Sequence, residues 1–265
     1  MRIALVDSGI GMLSTAAALR AARPDADLIL SMDPDHMPWG PRAPEEVIGR
    51  ALAGARAAAD AGPDAVVVPC NTASVHGLAA LREEFEPQIP VIGTVPPIKP
   101  AAARGAPIAV WSTAATSRSR YQHDLIERFA PDIDVAAVAC IGLAEAVESA
   151  DPAAITDAVD YAAAHTPADV TGIVLGCTHY DLVSEEISAA LDHRASLFTA
   201  AEAVAAQTLR RLDARPAPDS ARTGTVTVLA SGRPATLPPA ALRYPAGAAL
   251  ARPATETPSS ANPRS

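Results

Sequence analysis

Two short apolar runs each lead to a cysteine, and they restrict the fold of this 265-residue chain more than any other feature. The first is Ala65-Val66-Val67-Val68, followed by Pro69-Cys70-Asn71-Thr72. The second is Gly172-Ile173-Val174-Leu175, followed by Gly176-Cys177-Thr178-His179. A β-branched run without polar alternation marks a strand covered on both faces, as in a parallel sheet. Each thiol stands where its strand ends and a helix is about to open on small polar capping residues. There it meets oriented N–H groups and the positive end of a helix dipole, which favour thiolate. One small α/β domain separates the two, so the repeat predicts two related halves that each bring a thiol to one substrate.

Strand and helix patterns alternate along the rest of the chain, the signature of βαβ units on parallel sheets. Strands are expected at Ile3 to Val6, Leu28 to Ser31, Pro90 to Gly93, Pro107 to Trp111 and Val135 to Cys140. Helices are expected from Leu13 to Arg20, from Pro44 to the stop at Gly62-Pro63, and along the face Val75, Leu78, Leu81 and Phe85. Further helices carry Tyr121, Leu125 and Phe129, then Glu145 and Glu148, then Asp157 to Ala164, and Ser112 to Thr116 reads as a polar turn. The proline-rich stretch Val95 to Pro100 reads as a crossing between domains, and Thr225 to Leu229 as a strand returning to the first. The expected fold is α/β, with two pseudo-symmetric domains, each a parallel sheet flanked by helices, and the active site in the cleft between them. Residues 1–95 with about 207–250 form the first domain, 96–206 the second, and 251–265 a disordered tail.

Composition removes several function classes. A net charge of −9 argues against a nucleic-acid surface, which needs clustered Lys and Arg. Lys99 is the single lysine, so a lysine-bound aldehyde cofactor is not expected. Three cysteines without a CxxC pair suit neither structural zinc nor a thioredoxin-like centre, although His76 and His179 lie near the thiols. They fit a reducing cytoplasm. The stretch Ile3 to Val6 is too short for a signal-peptide core, and no run is long enough to span a bilayer.

Ligands of open parallel sheets bind at the carboxyl ends of the strands. Those ends carry Asp7-Ser8-Gly9, Cys70-Asn71-Thr72, Thr113 to Thr116 and Cys177-Thr178-His179. Two thiols, a carboxylate, an imidazole and several small neutral donors suit a small anionic substrate that exchanges a proton. Taken singly, each cysteine reads as a small buried hydrophobe, Asp7 as a turn former and His179 as a helix cap. Their joint placement favours acid–base work.

The sequence resembles the glutamate racemases of the aspartate/glutamate racemase superfamily. The resemblance rests on Val6-Asp7-Ser8-Gly9-Ile10-Gly11, Pro38-Trp39-Gly40-Pro41-Arg42, Cys70-Asn71-Thr72-Ala73-Ser74, Pro90 to Pro100 and Gly176-Cys177-Thr178-His179-Tyr180, in family order across about residues 1–210. It implies cofactor-independent, metal-free racemisation of glutamate for peptidoglycan synthesis by a cytoplasmic homodimer. By motif, Cys70 serves the D-enantiomer with Asp7 assisting, and Cys177 serves the L-enantiomer with His179 assisting. Ser8, Trp39, Gly40, Asn71, Thr72 and Thr178 form the substrate-anchoring set, Asp7, Thr113, Thr116 and His179 join it, and Glu148 is a further carboxylate near the second thiol. Met12 replaces a family glycine, and Trp39 replaces a tyrosine. Alternatives are a racemase or isomerase of another small acid on the same scaffold, aspartate or a hydantoin included, and a non-catalytic regulator that binds an amino acid.

Overall fold

The computed structural model describes residues 1–253; the tail expected at 251–265 lies outside the described residues from 254 onward. The chain runs β1 (Arg2–Asp7), α1 (Leu13–Ala22), β2 (Asp27–Met32), α2 (Pro44–Ala59), β3 (Ala65–Val68), α3 (Asn71–His76), α4 (Leu78–Phe85) and β4 (Val91–Gly93). It continues through α5 (Ile98–Ala102), β5 (Ile108–Ser112), α6 (Ala114–Ser117), α7 (Arg120–Phe129), β6 (Val135–Ala139), α8 (Leu143–Ser149), α9 (Pro152–Ala164) and β7 (Gly172–Leu175). It closes with α10 (Ser184–Ala190), β8 (Ser196–Phe198), α11 (Ala201–Arg211), β9 (Val226–Ala230), β10 (Arg233–Ala235) and α12 (Pro245–Ala251).

The strands form two sheets, ordered β10-β9-β2-β1-β3-β4 and β6-β5-β7-β8. Among the described residues every pairing is parallel except β9 with β10. The four-strand order β2-β1-β3-β4 repeats in the second sheet as β6-β5-β7-β8, so Cys70 and Cys177 follow equivalent strands, β3 and β7. In each half the chain winds first to one side of its founding strand and then to the other. That reversal opens a crevice at the strand ends, where both thiols sit. Alternation within β1 shows how the sheet is held. Ile3 and Leu5 join a core shared with Ala109, Trp111 and Tyr180, whereas Ala4 and Val6 pack with Val47, Ala51 and Ala55 of α2 on the other face.

Several local expectations change. Gly77 breaks the helix drawn along Val75 to Phe85 into α3 and α4, leaving Val75 and Leu78 only partly buried. The polar turn after β5 coils into α6, capped by the Thr113 side chain. No side-chain cap opens α3, and the segment after Cys177 is a 3₁₀ turn, Thr178–Val183, rather than an α-helix. The returning strand is β9, paired parallel to β2. The boundary drawn near residue 207 falls inside α11, which packs against α1 and β3 of the first sheet. Among the described residues, no helix is long and apolar enough to cross a membrane.

Candidate active site

The strand ends of both sheets wall one cavity of about 30 Å³. Ser8, Trp39, Gly40, Cys70, Asn71 and Thr72 line it from the first half; Thr113, Thr116, Cys177, Thr178 and His179 line it from the second. That volume holds on the order of one or two waters, so the conformation is closed. Met37, Pro38, Ala144 and Gly176 complete the wall; Pro38 and Gly176 belong to motifs noted in the sequence, whereas nothing there marks Met37 or Ala144. Asp7 and Glu148 are not lining residues. Each instead stands beside residues that are, through hydrogen bonds to Ser8 and Thr178 for Asp7 and to His179 for Glu148.

On the first side, Asp7 is 1 % exposed. Its Oδ1 accepts from the N–H of Ser8 at 2.7 Å, and its Oδ2 accepts from Thr178 Oγ1 of the second half at 3.2 Å. Burial raises its pKa against the opposing pull of His179 and of these donors. Cys70 caps the start of α3, with the N–H groups of Ala73 and Ser8 favouring its thiolate. Burial, and then the charge of Asp7, outweigh those donors and push the thiol well above its usual range. The strand-end donors that favour thiolate are thus outweighed at Cys70, which keeps its proton in this closed site. A six-residue helix offers too little dipole to offset full desolvation.

On the second side, Cys177 Sγ lies 3.7 Å from His179 Nδ1, and His179 Nε2 lies 2.8 Å from Glu148 Oε2. The same carboxylate oxygen accepts from the N–H of Ile10 at 2.9 Å, tying α8 to the loop after β1. Burial disfavours the imidazolium, but the hydrogen bonds to Cys177 and Glu148 prevail and hold the pKa of His179 well above its usual value. Two glycines permit this packing. A Cβ on Gly9 would stand 2.2 Å from Glu148 Oε2, and one on Gly11 2.4 Å from Thr178 Oγ1. Met12, the departure from the family glycine, points into the core and is fully buried.

Asn71 Oδ1 is buried without a hydrogen-bond partner among the described residues, beside Thr72 on the cavity wall. Thr113 Oγ1 and Thr116 Oγ1 lie 3.0 Å apart, and Thr113 stands against Gly40, where a Cβ would come 3.5 Å from its hydroxyl. Asp33 went unremarked in the sequence, yet its Oδ2 accepts from Trp39 Nε1 at 3.1 Å. The signal was present, since Asp33 follows β2 as directly as Ser8 follows β1. Cys140 is buried away from the cavity, and burial raises its pKa. Among the described residues, no group of three or more His, Cys, Asp or Glu side chains is placed to hold a metal ion.

Asp181 lies on the same 3₁₀ turn as His179, and burial raises its pKa from 3.8 to about 7. A carboxyl with a raised folded-state pKa binds its proton more tightly when folded, so stability falls as pH climbs from about 4 to about 7. Asp181→Asn is expected to raise the thermal midpoint at pH 8, by roughly 2–4 °C per kcal/mol recovered, with the gain gone at pH 4. Melting curves at both pH values test this; an equal gain at both would refute it.

Fold and site together define a pseudo-symmetric α/β protein with a thiol at equivalent strand ends of each half. The chain belongs to the Asp/Glu/Hydantoin racemase family, whose model matches residues 9–208. It is 36% identical over 241 residues to a glutamate racemase of Roseiflexus sp., covering 88% of each chain. To that of Herpetosiphon aurantiacus it is 37% identical over 240 residues, covering 88% of this chain and 93% of the relative. The Escherichia coli glutamate racemase, solved with L-glutamate and the activator UDP-MurNAc-Ala, superposes with a TM-score of 0.75 at 28% identity over 91% of each chain.

Proposed function

We propose that this protein interconverts L- and D-glutamate by a two-thiol acid–base mechanism with no cofactor. The observation that carries the reading is the single closed cavity lined by both Cys70 and Cys177 together with a dense set of neutral donors. Similarity to curated glutamate racemases, and to one with L-glutamate bound, supports the choice of substrate.

Removing a Cα proton without a cofactor builds charge beside a carboxylate, so the site has to surround the substrate with donors and exclude water. Asn71, Thr72, Thr113, Thr116, Thr178 and Ser8 supply side-chain donors. Trp39 and Gly40, on the cavity wall, supply backbone N–H groups. One sulfur takes the proton from one face and the other returns a proton to the opposite face. Burial and Asp7 keep Cys70 protonated, whereas the imidazolium of His179 offers Cys177 a counter-charge. Cys70 thus begins as the acid, and Cys177, 3.7 Å from the His179 ring, is placed to act as base on the enantiomer that presents its Cα hydrogen to it; by the family resemblance this is L-glutamate. Turnover in the other direction begins with the roles exchanged.

In this reading residues 1–95 and the segment from α11 to about 250 form one domain and the stretch between them the other, with the substrate held in the cleft. The product would supply D-glutamate for peptidoglycan in the cytoplasm, and the active form is a homodimer. Chiral chromatography of L-glutamate, D-glutamate and L-aspartate incubated with purified protein and a chelator tests the proposal. Both glutamates are expected to converge on the same mixture while aspartate stays unchanged. Activity abolished by the chelator, or a visible aldehyde-cofactor absorbance, would overturn it.

A further inference from the structure

Trp39 is 1 % exposed and separates two spaces. It lines the closed site cavity and also a second cavity of about 420 Å³, whose walls include Asp33, His36, Arg50 and Ser231. Besides the indole, Asp33 accepts from Ser231 Oγ at 2.7 Å and from His36 Nδ1 at 2.9 Å, with Arg50 at 3.8 Å. Burial disfavours charge on Asp33, but the bonds from His36, Ser231 and Trp39 hold its pKa below the usual range, so it acts as a carboxylate acceptor.

Ser231 reaches Asp33 from the far end of the chain. It forms the two-residue turn between β9 and β10 with Gly232, at φ of 46° and 79° respectively. Left-handed backbone is unfavourable for a residue with a Cβ and is retained where the surroundings impose it. Here the hydroxyl also accepts from the N–H of Asp35, and Arg233 pairs with Asp35 at 2.7 Å. The hairpin thereby clamps the loop that carries Trp39 and Gly40.

We propose that Asp33 and Ser231 are positioning residues that latch the Trp39 indole and so set the Trp39-Gly40 backbone over the substrate. The inference rests on the glutamate reading above. The site cavity of about 30 Å³ is smaller than glutamate, and the 420 Å³ cavity on the far side of Trp39 gives the indole room to swing away when substrate enters. Re-forming the Asp33–indole bond then returns the two backbone donors to the substrate.

The test combines steady-state kinetics on both glutamate enantiomers with acrylamide quenching of tryptophan fluorescence. The other tryptophan, Trp111, is fully buried and bonded to Thr166, so quenching reports Trp39. Asp33→Ala and Trp39→Phe are expected to raise KM about 10- to 100-fold with kcat changed less than about threefold. Ser231→Ala should do the same more weakly. Asp33→Asn keeps an acceptor for the indole and should restore KM to within about threefold of wild type. Quenching should be faster in Asp33→Ala and slow again at saturating glutamate. A KM for Asp33→Ala within about twofold of wild type, or a loss confined to kcat with unchanged quenching, would overturn the latch. If wild-type protein leaves glutamate untouched, the glutamate reading fails by itself, and quenching then decides: faster in Asp33→Ala supports the latch, equal in both refutes it.

Discussion

Cys70→Ser and Cys177→Ser are each expected to stop racemisation in both directions, by at least roughly 10²–10⁴-fold, while leaving proton chemistry on one face. Every turnover needs one sulfur as base and the other as acid, so a single hydroxyl in either place breaks the cycle whichever enantiomer enters. A β-substituted glutamate with a leaving group needs only deprotonation. Cys177→Ser should therefore still eliminate from the D-form through Cys70, and Cys70→Ser from the L-form through Cys177. Burial and Asp7 hold the proton on Cys70. Elimination by Cys177→Ser should accordingly demand a higher pH than elimination by Cys70→Ser. Cys140→Ala serves as the control: its thiol is buried outside the cavity, so the variant should keep nearly full activity. Equal loss from both enantiomers in both serine variants would leave a single-thiol mechanism as the better account.

What the sequence revealed and what it hid divide along physical lines. The strands that place the thiols were legible because Ala65 to Val68 and Gly172 to Leu175 are buried on both faces, and burial of that kind leaves an uninterrupted apolar run. Sheet order was not legible, since it depends on pairings between distant segments. Only the structure shows that β3 and β7 occupy equivalent places. Short or exposed elements also escaped notice. Strand β10 contains Pro234 and is exposed throughout, and β8 has three half-buried residues. Helix α11 buries alanines and a threonine beside Val204 and Leu209, a weak apolar stripe. Strand-end position reports the donors around Cys70 but says nothing of how deeply the thiol is buried. Asp33 and Ser231 lie 198 residues apart, and no local pattern joins them.

The second large effect lies behind Cys177, in the chain from Glu148 through His179 to the sulfur. His179→Asn is expected to cut Cys177-side elimination by roughly 10²–10⁴-fold and to leave Cys70-side elimination much less affected. Glu148→Gln should cost about 10- to 100-fold on the same side, the loss expected of a charged hydrogen bond reduced to a neutral one. The pH profile separates these from simple misfolding. Glu148 helps hold the pKa of His179 above its ordinary value, so the imidazolium in wild-type protein survives to higher pH. Without that charge, His179 deprotonates at lower pH, and the alkaline limb of kcat/KM should move toward acid. The stabilising part of the pair has the same sign: it is present at low pH and fades as pH rises through the raised folded-state value. Gly9→Ala should reproduce the phenotype with both side chains intact, because its Cβ would stand 2.2 Å from Glu148 Oε2 and force the carboxylate away from His179. A Glu148→Gln profile with its alkaline limb unmoved would show that the carboxylate supports the fold and leaves the proton on His179 alone.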